Sequence, residues 1–165
     1  MSVAVNIDAK SFREALGRFA TGVTVVTGIS ENGAAIGITV NSFTSVSLDP
    51  PLVLFCIGLT APSCETFSGG GSFALNVLSE DQEALSNNFA TPLEDKFKDI
   101  DFDTWELGCP ILKGCLANLE CRHEAVYDGG DHKIIVGRVE NLVIAEAGHP
   151  LLYFQGQYAR LGNAG

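Results

Sequence analysis

Apolar and polar positions alternate with a period of two over most of this chain, and a period near four appears only in short stretches. Phe12, Ala15, Leu16, Phe19 and Ala20 recur at helical spacing, which predicts one amphipathic helix near the start. Ser11 followed by Glu14 reads as its capping box, with Gly22 as its stop. Val23 to Thr27 is β-branched and predicts a strand. A turn at Glu31-Asn32-Gly33 follows, then a return strand over 35–46. Residues 52–58 are nearly all apolar, which predicts a strand covered on both faces.

Ser63 is placed to cap a short helix through Phe67, stopped by Gly69-Gly70-Gly71. Phe73, Leu75 and Val77 alternate with Ala74 and Asn76, the pattern of a half-buried strand. Ser79 to Gln82 reads as a second capping box, opening a helix to about Phe89. Thr91-Pro92-Leu93-Glu94 has the cap, N1 proline and N3 acid of a further helix start. Residues 101–113 read as a loop with short strands. Residues 116–127 and 133–144 are long alternating strands joined at Asp128-Gly129-Gly130-Asp131, a hairpin signal. Residues 151–154 make a last short strand. Strands dominate, no βαβ rhythm or repeat appears, and a small barrel with peripheral helices fits best.

At 165 residues and 46% apolar content the chain makes one domain with a real core, spanning 1–165. Ten basic residues against twenty acidic ones give a net charge of −10. Nucleic-acid binding needs a positive face, and none is visible; acidic membranes are excluded on the same ground. No apolar run is long enough to span a bilayer. The opening residues lack a basic region followed by a greasy run, so no signal peptide is expected. The five cysteines, Cys56, Cys64, Cys109, Cys115 and Cys121, are odd in number and fit no metal spacing. Free thiols in a reducing cytoplasm, acting as small hydrophobes, are the expectation, with no metal site.

The chemistry-bearing stretch is Gly37 to Val53, where hydroxyl and amide side chains crowd between two apolar strands before Asp49-Pro50-Pro51 turns the chain. Such a run is poor core filling and suits the edge of a large, flat, polar-edged ligand. Together with Arg18-Phe19-Ala20-Thr21-Gly22-Val23-Thr24-Val25-Val26-Thr27, Ser72 to Leu78, Asp95-Lys96-Phe97 and Gly130 to Val139, it resembles the flavin reductase-like family over residues 10–161. That family supplies the small reductase component of two-component flavin-dependent monooxygenases. The resemblance implies a mainly β, FMN-binding split β-barrel (a Greek-key-like antiparallel barrel) with a few short peripheral helices. It also implies a homodimer, with FMN or FAD bound near the subunit interface. NADH, or alternatively NADPH, gives a hydride to the flavin, and the reduced flavin leaves for a separate oxygenase. No Gly-x-Gly-x-x-Gly follows a strand here, so no Rossmann site is expected.

By resemblance Thr39, Val40, Asn41 and Ser42 contact the ring edge and ribityl chain, with Ser45 and Ser47 contributing beyond the turn. An Asn amide can pair with the donor–acceptor edge of the pyrimidine portion, and hydroxyls suit a ribityl chain; alternatively the segment caps a bulge. Cys56 and Ala61 fall beside the cofactor in the same reading. Ser63 and Thr66 are phosphate candidates, with Ser63 as a plain N-cap the alternative and Glu65 obliged to point away. Lys96 either reaches a phosphate or is a solvated surface lysine. Asn76 lies beside the flavin or makes a cross-strand bond. His132, at the Gly-Asp-His hairpin mouth, is the residue for nicotinamide positioning, or else a turn histidine bonded to Asp131. His123 fits core, interface or pocket; His149 reads as a loop residue. Tyr153 and Tyr158 cover the flavin or the nicotinamide, or plug the core. Relatives often carry arginine where Gln155 or Gln157 stands, which removes positive charge here. The acidic surroundings favour NADH over NADPH.

Two other functions use the same barrel: a flavin-carrying electron-transfer protein, and a flavin-dependent reductase of a corrinoid or ferric complex. Free-flavin turnover separates them, since only a flavin reductase oxidises NADH in proportion to added flavin until saturation.

Overall fold

A computed structural model describes residues 7–162, and the readings on the first six residues lie outside this range. The elements run α1 (Ala9–Leu16), β1 (Thr21–Gly22), β2 (Thr24–Ile29), β3 (Ala35–Val40), β4 (Thr44–Leu48), β5 (Pro51–Gly58), α2 (Cys64–Ser68) and β6 (Ser72–Val77). Then come α3 (Glu83–Ala90), β7 (Phe102–Thr104), β8 (Pro110–Leu112), β9 (Ala117–Gly129), β10 (His132–Ile144), β11 (Leu152–Phe154) and β12 (Gln157–Ala159). The fold is mainly β with a few short helices, in the split-barrel arrangement.

Seven antiparallel strands form the main sheet in the order β3-β2-β6-β9-β10-β5-β4. Its two edge strands are neighbours in the chain. The expected single strand over 35–46 is therefore two strands, broken at residues 41–43. The break is fixed by Ser42, whose Oγ accepts from Cys56 N at 2.9 Å and donates to Cys56 O at 3.1 Å. That hydroxyl holds the corner against the middle of β5, so β4 pairs with β5 while β3 pairs with β2. The sheet rolls until its edges meet at this corner without a ladder between them.

Inside the roll lie Val26, Phe55, Ile57, Phe73, Leu75, Cys121 and Ile135. Phe55 meets Phe67 and Phe73 edge-to-face, at centroid separations of 5.7 and 5.1 Å. Each buried ring contributes about 2–3 kcal/mol of transfer free energy. The roll is tight enough that Gly137 admits no side chain: a Cβ there would lie 2.3 Å from Phe73 Cζ and 2.9 Å from Cys121 Cβ. A bulge in the β9–β10 ladder falls between Val136 and Gly137.

A second core outside the roll joins Val23, Val25, Leu78, Phe89, Leu112, Cys115 and Leu151. This core corrects two readings of strand burial. β6 is covered on both faces, because β8 and the 105–109 segment before it shield its outer side; Ala74 and Asn76 are as buried as Phe73 and Leu75. β5, by contrast, alternates: Val53, Phe55 and Ile57 face the core, and Leu54, Cys56 and Gly58 stay half-exposed.

Helix boundaries also differ. α1 is capped by Asp8, whose Oδ1 accepts from Lys10 N and Ser11 N, both at 2.9 Å. Ser11 is thus inside the helix and donates to Asp8 Oδ2. Gly17 caps the other end, and Gly22 pairs with Leu152 in a strand. At the second box, Gln82 Oε1 does accept from Ser79 N at 3.0 Å, yet Ser79 bridges to Pro150, so α3 begins at Glu83. No helix starts at Thr91; it caps the end of α3 and donates through Oγ1 to Asn87 O. β12 is an element that the sequence pattern did not announce. No helix among the described residues is long and apolar enough to cross a membrane.

Candidate functional site

The corner between β3 and β4, the end of α1 and the β11–β12 turn meet around one cleft of about 600 Å³. Its walls include Leu16, Phe19, Tyr153, Thr21, Asn41 and Arg13. β1 brings Thr21 opposite Tyr153 in the ladder. The β11–β12 turn is seated on α1 by Gln155 N donating to Gly17 O at 2.8 Å, with Gln155 and Gly156 both at positive φ. Apolar side chains thus form broad walls, and an amide stands at one edge. Thr21 Oγ1 is buried and has no hydrogen-bond partner. A buried hydroxyl left unpaired costs about 1–3 kcal/mol, and this one is sealed beneath the cleft wall. The donor set therefore fits a flat, apolar-faced ring with a polar edge.

Beside the corner runs the half-exposed outer row of β5. In register with it, Ile134 stands opposite Cys56 and His132 opposite Gly58. His132 Nδ1 lies 2.7 Å from Asp131 Oδ1. That hydrogen bond, with the charge of the imidazole and more weakly that of Arg13, holds the Asp131 carboxyl below the ordinary carboxylate value. A Cβ at Gly58 would sit 3.8 Å from His132 Nε2, so the ring's far nitrogen lies along bare backbone. Leu59 N donates to Asp131 O at 2.9 Å and fixes the hairpin mouth to the end of β5. Burial pushes the Cys56 thiol up, against a smaller opposite effect of the Ser42 hydroxyl.

Of the expected contacts, Asn41 and Tyr153 line the cleft, while Ser45 and Ser47 lie on the β4 edge, Ser45 fully exposed. Several others are occupied elsewhere. Thr39 Oγ1 donates to Ser86 O at 2.6 Å, which ties β3 to α3. Ser42 spends its hydroxyl on the Cys56 backbone. Val40 is buried in the barrel core and Ala61 packs against it. Tyr158 OH sits 2.7 Å from Ser86 Oγ and donates to Asn87 Oδ1 at 3.1 Å.

Asn76 is corrected outright. Its Nδ2 donates to Val25 O at 2.9 Å and Thr27 Oγ1 at 3.1 Å, and its Oδ1 accepts from Leu112 N at 2.9 Å and Asn118 Nδ2 at 2.8 Å. Completely buried and fully paired, it joins β2, β6, β8 and β9 and has nothing left for a cofactor. Lys96 is corrected too: Nζ donates to Phe89 O at 2.7 Å and Gly37 O at 3.2 Å. It closes the carbonyl end of α3 over β3, and burial lowers its pKa. Ser63 makes no side-chain cap bond, and Thr66 lines a separate cleft with Glu31 and Glu65, whose charges disfavour an anion. His123 is half-buried with Nε2 unpaired, and His149 is exposed in a loop.

Arg13, Leu16, Thr21 and Gln155 are wall residues to which the pattern assigned no role. The signal was present for Thr21, which stands in the quoted Arg-Phe-Ala-Thr-Gly run.

The model of the flavin reductase like domain matches residues 16–162. A Rhizobium meliloti protein named "Probable flavin reductase" is 49% identical over 132 residues, 80% of this chain and 42% of that protein. The chain thus spans less than half of that relative's length. The reductase subunit of a flavin-dependent monooxygenase from Rhodococcus jostii is 44% identical over 152 residues, 92% of this chain and 77% of that one. Among solved structures, the Streptomyces globisporus NADH:FAD oxidoreductase in complex with NAD and FAD fragments superposes with a TM-score of 0.90 at 38% identity. It covers 98% of this chain and 99% of its own.

Proposed function

This chain belongs to the flavin reductase-like family, and from that premise we propose that it is an NAD(P)H-dependent flavin reductase supplying reduced flavin to a partner oxygenase. The observation that carries the reading is the cleft that joins the apolar walls of Leu16, Phe19 and Tyr153 to the Asn41 amide. FMN or FAD held in this cleft by the Leu16, Phe19, Tyr153 and Asn41 walls would supply the hydride acceptor for a nicotinamide donor. The chain's own residues position and enclose. Leu16, Phe19 and Tyr153 exclude water from the ring faces, and Asn41 addresses the polar edge. Ser42 acts through Cys56, holding the corner that presents Asn41.

His132 orients the nicotinamide. Asp131 is held ionised, so it accepts a hydrogen bond from the Nδ1 proton. In the neutral ring that leaves Nε2 as an acceptor, suited to the carboxamide N–H of a nicotinamide. Hydride transfer requires no general acid or base at this position. His132 therefore contributes placement, not proton transfer.

The assembly proposed is a homodimer, supported by the apolar face of α1 and the turn after it, where Phe12, Leu16 and Phe19 are 55, 56 and 77% exposed. The cytoplasm is the proposed compartment, supported by five free cysteines, four of them buried. NADH is the proposed donor, on the acidic composition.

Steady-state NADH oxidation with added FMN or FAD tests the reading: the rate should rise with flavin and saturate. A flat response would reject it. His132→Ala should raise the KM for NADH about fivefold to tenfold with flavin affinity within twofold of the parent, the worth of one hydrogen bond. Equal loss of both, or of neither, removes His132 from the nicotinamide.

A further inference from the structure

Of the ten basic residues, Lys10 and Lys98 are exposed on the surface, and the other eight are either already engaged or face a cleft. Lys113 pairs with Asp101 and Asp103, Arg122 with Glu140, Lys133 with Asp128 and Arg138 with Glu124. Lys96 is taken by two carbonyls and Arg160 lies 3.4 Å from Glu80 O. Arg13 and Arg18 have no carboxylate within ion-pair distance among the described residues. Both line a lobe of about 300 Å³ that shares Arg13, Gly17, Gln155 and Gly156 with the main cleft. Arg18 is splinted: with its amide oxygen toward the guanidinium, Gln155 accepts from Nε at 3.2 Å and Nη1 at 2.5 Å. A neutral partner fixes the guanidinium without neutralising it. Arg13 stands between this lobe and the hairpin mouth, and its charge is felt at Asp131. Glu14 lines the lobe as well and opposes an anion there.

We propose that Arg13 and Arg18 form the phosphate-binding end of the site, gripping the phosphate or pyrophosphate of the bound nucleotide. The inference rests on the reductase reading for its ligand. A molecule of net charge −10 repels a nucleotide phosphate at long range, so recognition needs local cations already positioned. Guanidinium groups bind phosphate oxygens bidentately, and these two lie at one end of a cleft whose other walls suit a ring. The arginine expected near Gln155 is thereby replaced from another segment: Gln155 holds Arg18 in place.

The test uses the Arg13→Gln/Arg18→Gln double variant, the corresponding double lysine variant, and Lys98→Gln as an exposed control. Flavin fluorescence quenching reads FMN against riboflavin, calorimetry reads ADP on the flavin-free chain, and NADH oxidation is followed with riboflavin as acceptor. In the glutamine variant we expect an affinity loss of about tenfold or more for a phosphate-bearing ligand, with riboflavin within twofold and partial rescue by lysine. Loss confined to FMN assigns the flavin phosphate; loss for ADP and NADH with FMN retained assigns the dinucleotide pyrophosphate. Glu14→Gln should tighten the same ligand. The proposal is overturned if no ligand moves more than twofold, if FMN and riboflavin weaken together while ADP holds, or if Lys98→Gln weakens binding equally. Should the glutamine variant not fold, wild-type protein that binds FMN no tighter than riboflavin and does not bind ADP overturns it equally. Wild-type protein that takes up no flavin rejects the reductase reading instead, and the ADP titration still reads the arginines.

Discussion

Asn76 in β6 and Asn41 in the break after β3 are the same residue type, and their surroundings give them opposite tasks. The Asn76 amide satisfies four groups that would otherwise be buried unpaired. Asn76→Ala should therefore lower stability by about 3 kcal/mol or more, measured by urea unfolding, with flavin affinity of the folded protein unchanged. A variant of near-parental stability that has lost flavin would return Asn76 to the cofactor. The sequence marked both asparagines, because an amide among apolar residues is conspicuous in either setting. It could not say which was sealed, since the covering came from β8, far along the chain. Lys96 shows the same limit: a lysine beside Asp95 looks solvated until α3 is placed over β3. His132 was legible, because a hairpin mouth is a local object and its Asp131 partner is adjacent in the chain.

Elements built from local rules came out where expected, and those that depended on a partner did not. The β9–β10 hairpin, the Gly33 turn and the glycine stop after α2 all follow from nearest neighbours. α1 was expected, though it starts one turn earlier, because Asp8 rather than Ser11 takes the N-cap and accepts from the Lys10 and Ser11 N–H groups. The Asp8 carboxyl sits below its ordinary value, chiefly through the Ser11 N–H and hydroxyl and further through the Lys10 N–H. A depressed carboxyl stabilises the helix fully above its unfolded pKa, about 3.9, and that support is lost as pH falls through the lower folded value. The protection of the Ser11 amide, its exchange rate taken relative to the intrinsic rate at each pH, should thus hold near neutrality and fall only in acid, while Asp8→Ala should lack it throughout. Protection that ignores both changes would take the cap away from Asp8. The break at residues 41–43 had no comparable local cause. Its β-branched flanks read as continuous strand, and only the pin on Cys56 divides them.

For the whole molecule, the roll of the sheet leaves one side unfinished. Phe12 and Leu16 are mostly exposed on a helix with no buried residue, Phe19 just beyond it is more so, and Leu48 on the β4 edge is 95% exposed. An amphipathic helix that covers nothing in its own chain is stable chiefly through what covers it. Phe12→Glu with Leu16→Glu should shift the protein from dimer to monomer at micromolar concentration, read by light scattering behind gel filtration, and weaken flavin binding with it. A double variant that remains dimeric would place the interface elsewhere. By itself the sequence determined that the chain is a small β domain with two long hairpin strands, a segment crowded with hydroxyl and amide side chains and a histidine at the hairpin mouth. Each follows from periodicities and turn chemistry within a few residues. The tertiary structure alone decided which polar groups are spent on the fold and which face the cleft. That choice depends on strands far apart in sequence closing over one another, and alternation cannot say which of two covered faces holds water, core or ligand.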